Sequence, residues 1–206
     1  MKIIYRGGYN KKSEESTKKS VIYDYAATVK KLLSHGKAVA YVTLAKPDNF
    51  FDNYFFPLLP NTIKIIDSKN NKNADWKKFD VIFFLGGDAE KLHKGLTESR
   101  FTLDNLKKDA VLIGDSAGAM VLSSYYADYK DDLKSQIVFF EGLNPKAKVI
   151  PIVHINNPNY VSPNLISSVH LFAEEKKLKV LELKENEEKL LTDDGSFVDF
   201  DKQEVF

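Results

Sequence analysis

The chain has 206 residues, a formal net charge of +1 and no cysteine. Near-neutral charge, with lysines interspersed among acids, leaves no electrostatic footprint for nucleic acid. The missing thiols exclude disulfides, thiolate metal ligands and a cysteine nucleophile. A hydrophobic content of 43% beside 29% charged residues suits a globular chain that buries one core, a single domain over 1–206. No apolar run approaches the roughly 20 residues of a membrane span. The segment Met1 to Tyr9 lacks the long apolar core of a secretion signal. The expectation is a cytoplasmic protein without a membrane partner.

Strand and helix signals alternate along the chain. Lys2 to Tyr5 reads as a short strand. From about Thr17 to Ser34, Ile22, Tyr25, Ala26, Val29, Leu32 and Leu33 share one helical face, and Gly36 stops the helix. Ala38 to Leu44 is an apolar run of the kind buried on both faces of a parallel sheet. Thr62 to Ile66, Val81 to Leu85 and Val111 to Ile113 are further strands, with a helix from about Ala117. A strand over Val149 to Val153, a helix carrying Leu165, Ile166, Val169, Phe172 and Ala173, and a strand over Lys179 to Leu183 follow. The tail from Leu190 reads as antiparallel pieces turning at Asp194-Gly195. Such alternation predicts an α/β fold, a mostly parallel sheet flanked by helices on both faces. In such folds sites lie at the carboxyl ends of the strands.

Three segments carry chemistry. Gly114-Asp115-Ser116-Ala117-Gly118 is a Gly-x-Ser-x-Gly sequence with an apolar strand before it and a helix after it. That context makes a sharp turn that exposes the Ser116 hydroxyl, with helix N–H groups beside it. Phe83-Phe84-Leu85-Gly86-Gly87-Asp88 ends a strand on two glycines. Its turn leaves backbone N–H groups free to join the Ala117 N–H around an oxyanion, while Asp88 caps the next helix. His154 closes a strand, where a base must sit to meet a nucleophile on a neighbouring strand end. His35, His93 and His170 fall on or beside helices, and no two histidines have metal-ligand spacing, so neither metal nor cofactor is expected.

Leu85-Gly-Gly-Asp88, Gly114-Asp-Ser-Ala-Gly-Ala119, and Gly142-Leu143 leading into the strand that ends at His154 resemble peptidase E and its relatives, the cyanophycinases among them. The resemblance runs from about Val81 to Leu191. It implies a class I glutamine amidotransferase-like, flavodoxin-like three-layer sandwich with serine in place of cysteine. It implies Ser116 as nucleophile, His154 as general base, and Gly87 or Asp88 together with Ala117 as oxyanion donors. The third triad member falls at Glu185 or at Asp131. Glu185 is preferred because it follows a strand and so shares a sheet edge with His154. The implied partner is a short peptide substrate, and a homodimer is left open.

One departure bears on substrate. Peptidase E cleaves dipeptides that begin with aspartate, and an arginine opening the helix after the histidine is expected to pair with that side chain. Here the segment is Ser162-Pro-Asn-Leu-Ile166, with Asn164 about where the arginine would stand. A poor aspartyl dipeptidase is therefore expected, unless Arg6 or Arg100 reaches the pocket through the fold. Two other functions compete. An esterase of the Gly-Asp-Ser-Ala-Gly type would carry a His-Gly-Gly-Gly segment upstream, absent here. A non-catalytic peptide or amino-acid binding module on the same scaffold has no evident need of both Ser116 and His154.

Overall fold

The computed structural model describes residues 1–9, 21–47, 62–130, 136–192 and 194–200. Strands β1 (Lys2–Arg6), β2 (Val39–Val42), β3 (Lys64–Ile66), β4 (Val81–Phe84) and β5 (Val111–Asp115) pair in parallel. β10 (Glu188–Leu191) runs antiparallel beside β1, and β11 (Phe197–Asp199) beside β10. The order across this seven-stranded sheet is β11-β10-β1-β5-β4-β2-β3.

Side chains alternate across the pleat and sort into two cores. Ile4, Val39, Tyr41, Phe83 and Ile113 meet Tyr25, Val29 and Leu32 of helix α1 (Val21–Ser34) on one face. Their neighbours Tyr5, Ala40, Val42, Phe84 and Leu112 face the other way. There they pack on Leu92 and Leu96 of α2 (Ala89–Glu98) and on α3 (Ala117–Val121). Helices thus cover both faces, giving the flavodoxin-like three-layer arrangement.

The central strands lie within about two residues of the expected bounds. The first residues of the expected helix, 17–20, fall outside the described residues. The segment after Ser116 differs from expectation more. Helix α3 stops after five residues. The chain then forms an antiparallel hairpin, β6 (Tyr125–Tyr129) with β7 (Ile137–Glu141), which the helical expectation missed. Ser123 marks the exit, its one hydroxyl proton within reach of either Met120 O at 2.5 Å or Tyr125 O at 2.6 Å. β8 (Val149–Ile152) and β9 (Lys179–Glu182) form a separate parallel pair joined by α4 (Pro163–Lys176). Ile150, Ile152, Ala127, Leu165 and Val169 pack where hairpin, pair and helix meet. No described helix is long and apolar enough to cross a membrane.

Arg6 ends β1 with a fully buried side chain. Its guanidinium hydrogen-bonds Asp24 of α1, and lies 3.7 Å from Asp115 of β5 and 3.6 Å from Glu188 of β10. Three carboxylates therefore surround one cation. Asp115 is the most buried of them, and its Oδ1 has no hydrogen-bond partner among the described residues. Burial raises the Asp115 pKa from its ordinary 3.8, against the opposing pull of Arg6. A raised carboxyl pKa favours the native state fully below the unfolded value, and that contribution is lost as pH rises through the folded value. Asp115→Asn leaves Arg6 with two carboxylates and is expected to be at least as stable as wild type at pH 7. The gap between them should open as pH rises from about 4. Urea midpoints across that range check it, and an Asn variant less stable than wild type at neutral pH would show that the Arg6 pairing outweighs burial.

Candidate active site

Ser116 sits between β5 and α3 with φ 49° and ψ −106°, a backbone conformation in which a side chain is strained. The strain persists because the surroundings hold it. Ser116 N–H donates to Arg6 O at 3.0 Å, and Ser116 O accepts from Met120 N–H at 3.0 Å. The flanking glycines allow the tight approach. A Cβ on Gly114 would lie 2.6 Å from Gly118 C, and one on Gly118 2.4 Å from Phe84 O.

His154 follows β8 by two residues and also has positive φ, 57°. Its N–H donates to Gly7 O at 3.0 Å, which turns the imidazole back toward β5. The ring stacks on Tyr160, centroids 4.4 Å apart. Gly8 lies against Cε1 and Nε2 of the ring, where a Cβ would come within 2.2 Å.

Nε2 of His154 is 3.0 Å from Ser116 Oγ, and Nδ1 is 3.1 Å from Glu185 Oε1. Both the imidazole and the carboxylate are more than nine-tenths buried. Glu185 is further held by two asparagines. Asn157 Nδ2 donates to Oε1 at 2.7 Å, and the Glu185 N–H donates to Asn156 Oδ1 at 2.8 Å. The parallel pairing of β8 with β9 brings the two loops together, as the sheet-edge expectation for Glu185 required. Asp131, the other expected position, lies outside the described residues. Asn156 and Asn157 went unrecognised in the sequence, although they stand directly after His154-Ile155.

At the end of β4, the two proposed oxyanion donors separate. The Asp88 N–H is bonded to Ala45 O at 3.0 Å, and its carboxylate caps α2 by accepting from Lys91 N–H at 2.9 Å. Asp88 is thus a cap with no N–H to offer. The N–H groups of Gly87 and of Ala117, the first residue of α3, have no partner among the described residues.

Two cavities adjoin Ser116. The smaller, about 60 Å³, lies between Gly8, Lys46, Gly87 and Asp115. The larger, about 300 Å³, opens from Ser116 and His154 toward Asp128, Tyr129, Tyr160 and Leu165. Its wall is fixed by Tyr129, whose hydroxyl donates to Ser162 Oγ at 2.9 Å and accepts from Ser162 N–H at 3.1 Å. Asn164 does not take part. It is exposed on the first turn of α4 and lines neither cavity, because the helix turns Leu165 inward instead. Arg6 is committed to the buried carboxylates, and Arg100 lines neither cavity. No group of three or more His, Asp or Glu side chains among the described residues is placed to hold a metal ion.

Comparison with known families finds a match to peptidase family S51 over residues 14–205. No curated protein matches the chain. The serine elbow, the histidine at the end of β8 and every described strand except β1 lie in the matched segment, which is nearly the whole sequence. The protein belongs to peptidase family S51, the serine peptidases of the peptidase E type.

Proposed function

We propose that this protein hydrolyses dipeptides or other short peptides through an acyl-enzyme on Ser116. The observation that carries this is the continuous hydrogen-bonded series Ser116 Oγ, His154, Glu185, with the serine on a strained elbow. With the imidazole proton on Nδ1 and directed at Glu185, Nε2 is the acceptor for the serine proton. Ser116 Oγ attacks the scissile carbonyl as its proton passes to Nε2, giving a tetrahedral intermediate and an imidazolium stabilised by Glu185. The Gly87 and Ala117 N–H groups face the oxyanion. Collapse returns the proton from Nε2 to the leaving amine. Water then repeats the sequence on the ester, releasing the acid and restoring Ser116. Asn157 holds Glu185 in line, so a mobile acid does not have to be ordered at each turnover.

Ser116→Ala and His154→Ala are each expected to lower kcat by about three orders of magnitude or more while the fold is kept, since nucleophile and base act as one unit. Retention of more than a tenth of the wild-type rate in either variant, measured on a dipeptide library, would sink the mechanism. A fluorophosphonate probe should label wild type at Ser116, and absence of labelling would favour a binding module.

Glu185→Gln keeps the shape but not the charge that orients the imidazole. A loss of about a hundredfold or more in kcat, with KM little changed, is expected because tautomer and imidazolium stabilisation are lost together. An unaltered kcat would return the acid's role to Asp131.

Among the described residues, no Lys or Arg lines the 300 Å³ cavity, which supports the expectation of poor aspartyl activity. An aspartate side chain entering it would lose solvation without a cationic partner. Asn-Leu, Ser-Leu and Ala-Leu should therefore be cleaved with higher kcat/KM than Asp-Leu. A preference for Asp-Leu of about tenfold or more, ~1.4 kcal/mol in the transition state, would overturn this.

A further inference from the structure

The larger cavity has a chemical polarity of its own. Asp128 is its one carboxylate among the described residues, and no Lys or Arg lines it. Asp128 lies on β6, in the hairpin that packs beside β8, so the strand pairing directs it to the same space as Ser116. Its Oδ1 accepts the Tyr129 N–H at 2.8 Å, and the described residues give Oδ2 no bond. Burial raises its pKa, and Asp88 and Glu90 act in the same direction. The cavity thus presents a partly desolvated carboxylate, and among the described residues no cation lines the same cavity. The remaining wall is largely aliphatic, from Ile152, Val161, Leu165 and Val169.

A ligand complementary to this shape has a flexible apolar stem and a positive end. The stem lies along the aliphatic wall, as the methylenes of long basic side chains do on apolar surfaces. The positive end supplies the missing counter-charge. A purely apolar side chain would leave Asp128 desolvated and unanswered, and an acidic one would add repulsion. We propose that the cavity receives the lysine or arginine side chain of the substrate residue whose carbonyl Ser116 attacks, with Asp128 as the specificity-determining carboxylate. This assignment rests on the peptidase function proposed above.

The test compares Lys-Leu with norleucyl-Leu, which keeps the stem and removes the charge. Wild type should prefer Lys-Leu by tenfold or more in kcat/KM, and in Asp128→Asn the ratio should fall toward one. A wild-type ratio near one, or a ratio that Asp128→Asn leaves intact, overturns the assignment. Both peptides carry the same α-ammonium, so recognition of that group alone by Asp128 gives a ratio near one and overturns the side-chain proposal. A second measurement needs no turnover and no variant. At matched ionic strength n-butylammonium should raise the Tm of wild type and n-butanol should not, while equal shifts or none would overturn the assignment. If no peptide is cleaved but n-butylammonium still binds, the peptidase reading fails and the cation pocket stands. If peptides are cleaved without preference for the charged stem, the reverse holds.

Discussion

Three consecutive residues at the end of β1 hold the site together. Arg6 O accepts the N–H of Ser116, Gly7 O accepts that of His154, and Gly8 O accepts that of Asn186, next to Glu185. Gly7 N–H donates in turn to Glu187 O. The three members of the hydrogen-bonded series belong to three loops from two different sheets, yet each is tied to this one segment. Side chains that must meet within hydrogen-bond distance need a reference that does not move, and a central strand of the main sheet provides it. The backbone of β1 therefore sets the distances among Ser116, His154 and Glu185 as much as their own rotamers do.

The elbow adds a second constraint. A non-glycine residue at φ 49° and ψ −106° carries strain of order 1–3 kcal/mol, offset by the surrounding packing. Gly114 and Gly118 let β5, α3 and β4 close around the serine without collision. The short helix that results is almost wholly buried, which stiffens the platform from which the hydroxyl and the Ala117 N–H both project. Preorganisation of this kind costs stability and returns it as transition-state stabilisation.

Charge is distributed unevenly around the nucleophile. Behind it, Arg6 is enclosed by Asp24, Asp115 and Glu188, and its side chain is fully buried in the scaffold. In front, Asp128 faces the larger cavity. A site with its arginine withdrawn into the core and a carboxylate left in the pocket differs electrostatically from one built to receive an aspartate side chain.

Much was determined locally by the sequence. Gly114-Asp-Ser-Ala-Gly118 could be read because the steric demand of an elbow is met by neighbouring residues alone. The parallel strands could be read because each is a short apolar run buried on both faces. His154 and Glu185 were legible through the rule that sites gather at the carboxyl ends of strands. What was not legible depends on pairing between distant segments. The β6–β7 hairpin was hidden behind a helical expectation, since Ser123 ends α3 by bonding to carbonyls the linear pattern does not display. Asp88 looked like an oxyanion donor until Ala45 was found to hold its N–H. Asn164 looked like a pocket residue until the phase of α4 turned Leu165 inward instead. Asn157 and Asp128 carried no motif, because their surroundings come from β9 and β8, more than twenty residues away in the chain. Sequence determined the residues that could do the chemistry. Tertiary structure decided which of them meet, because hydrogen bonds and desolvation depend on distances that strand pairing and helix phase alone set.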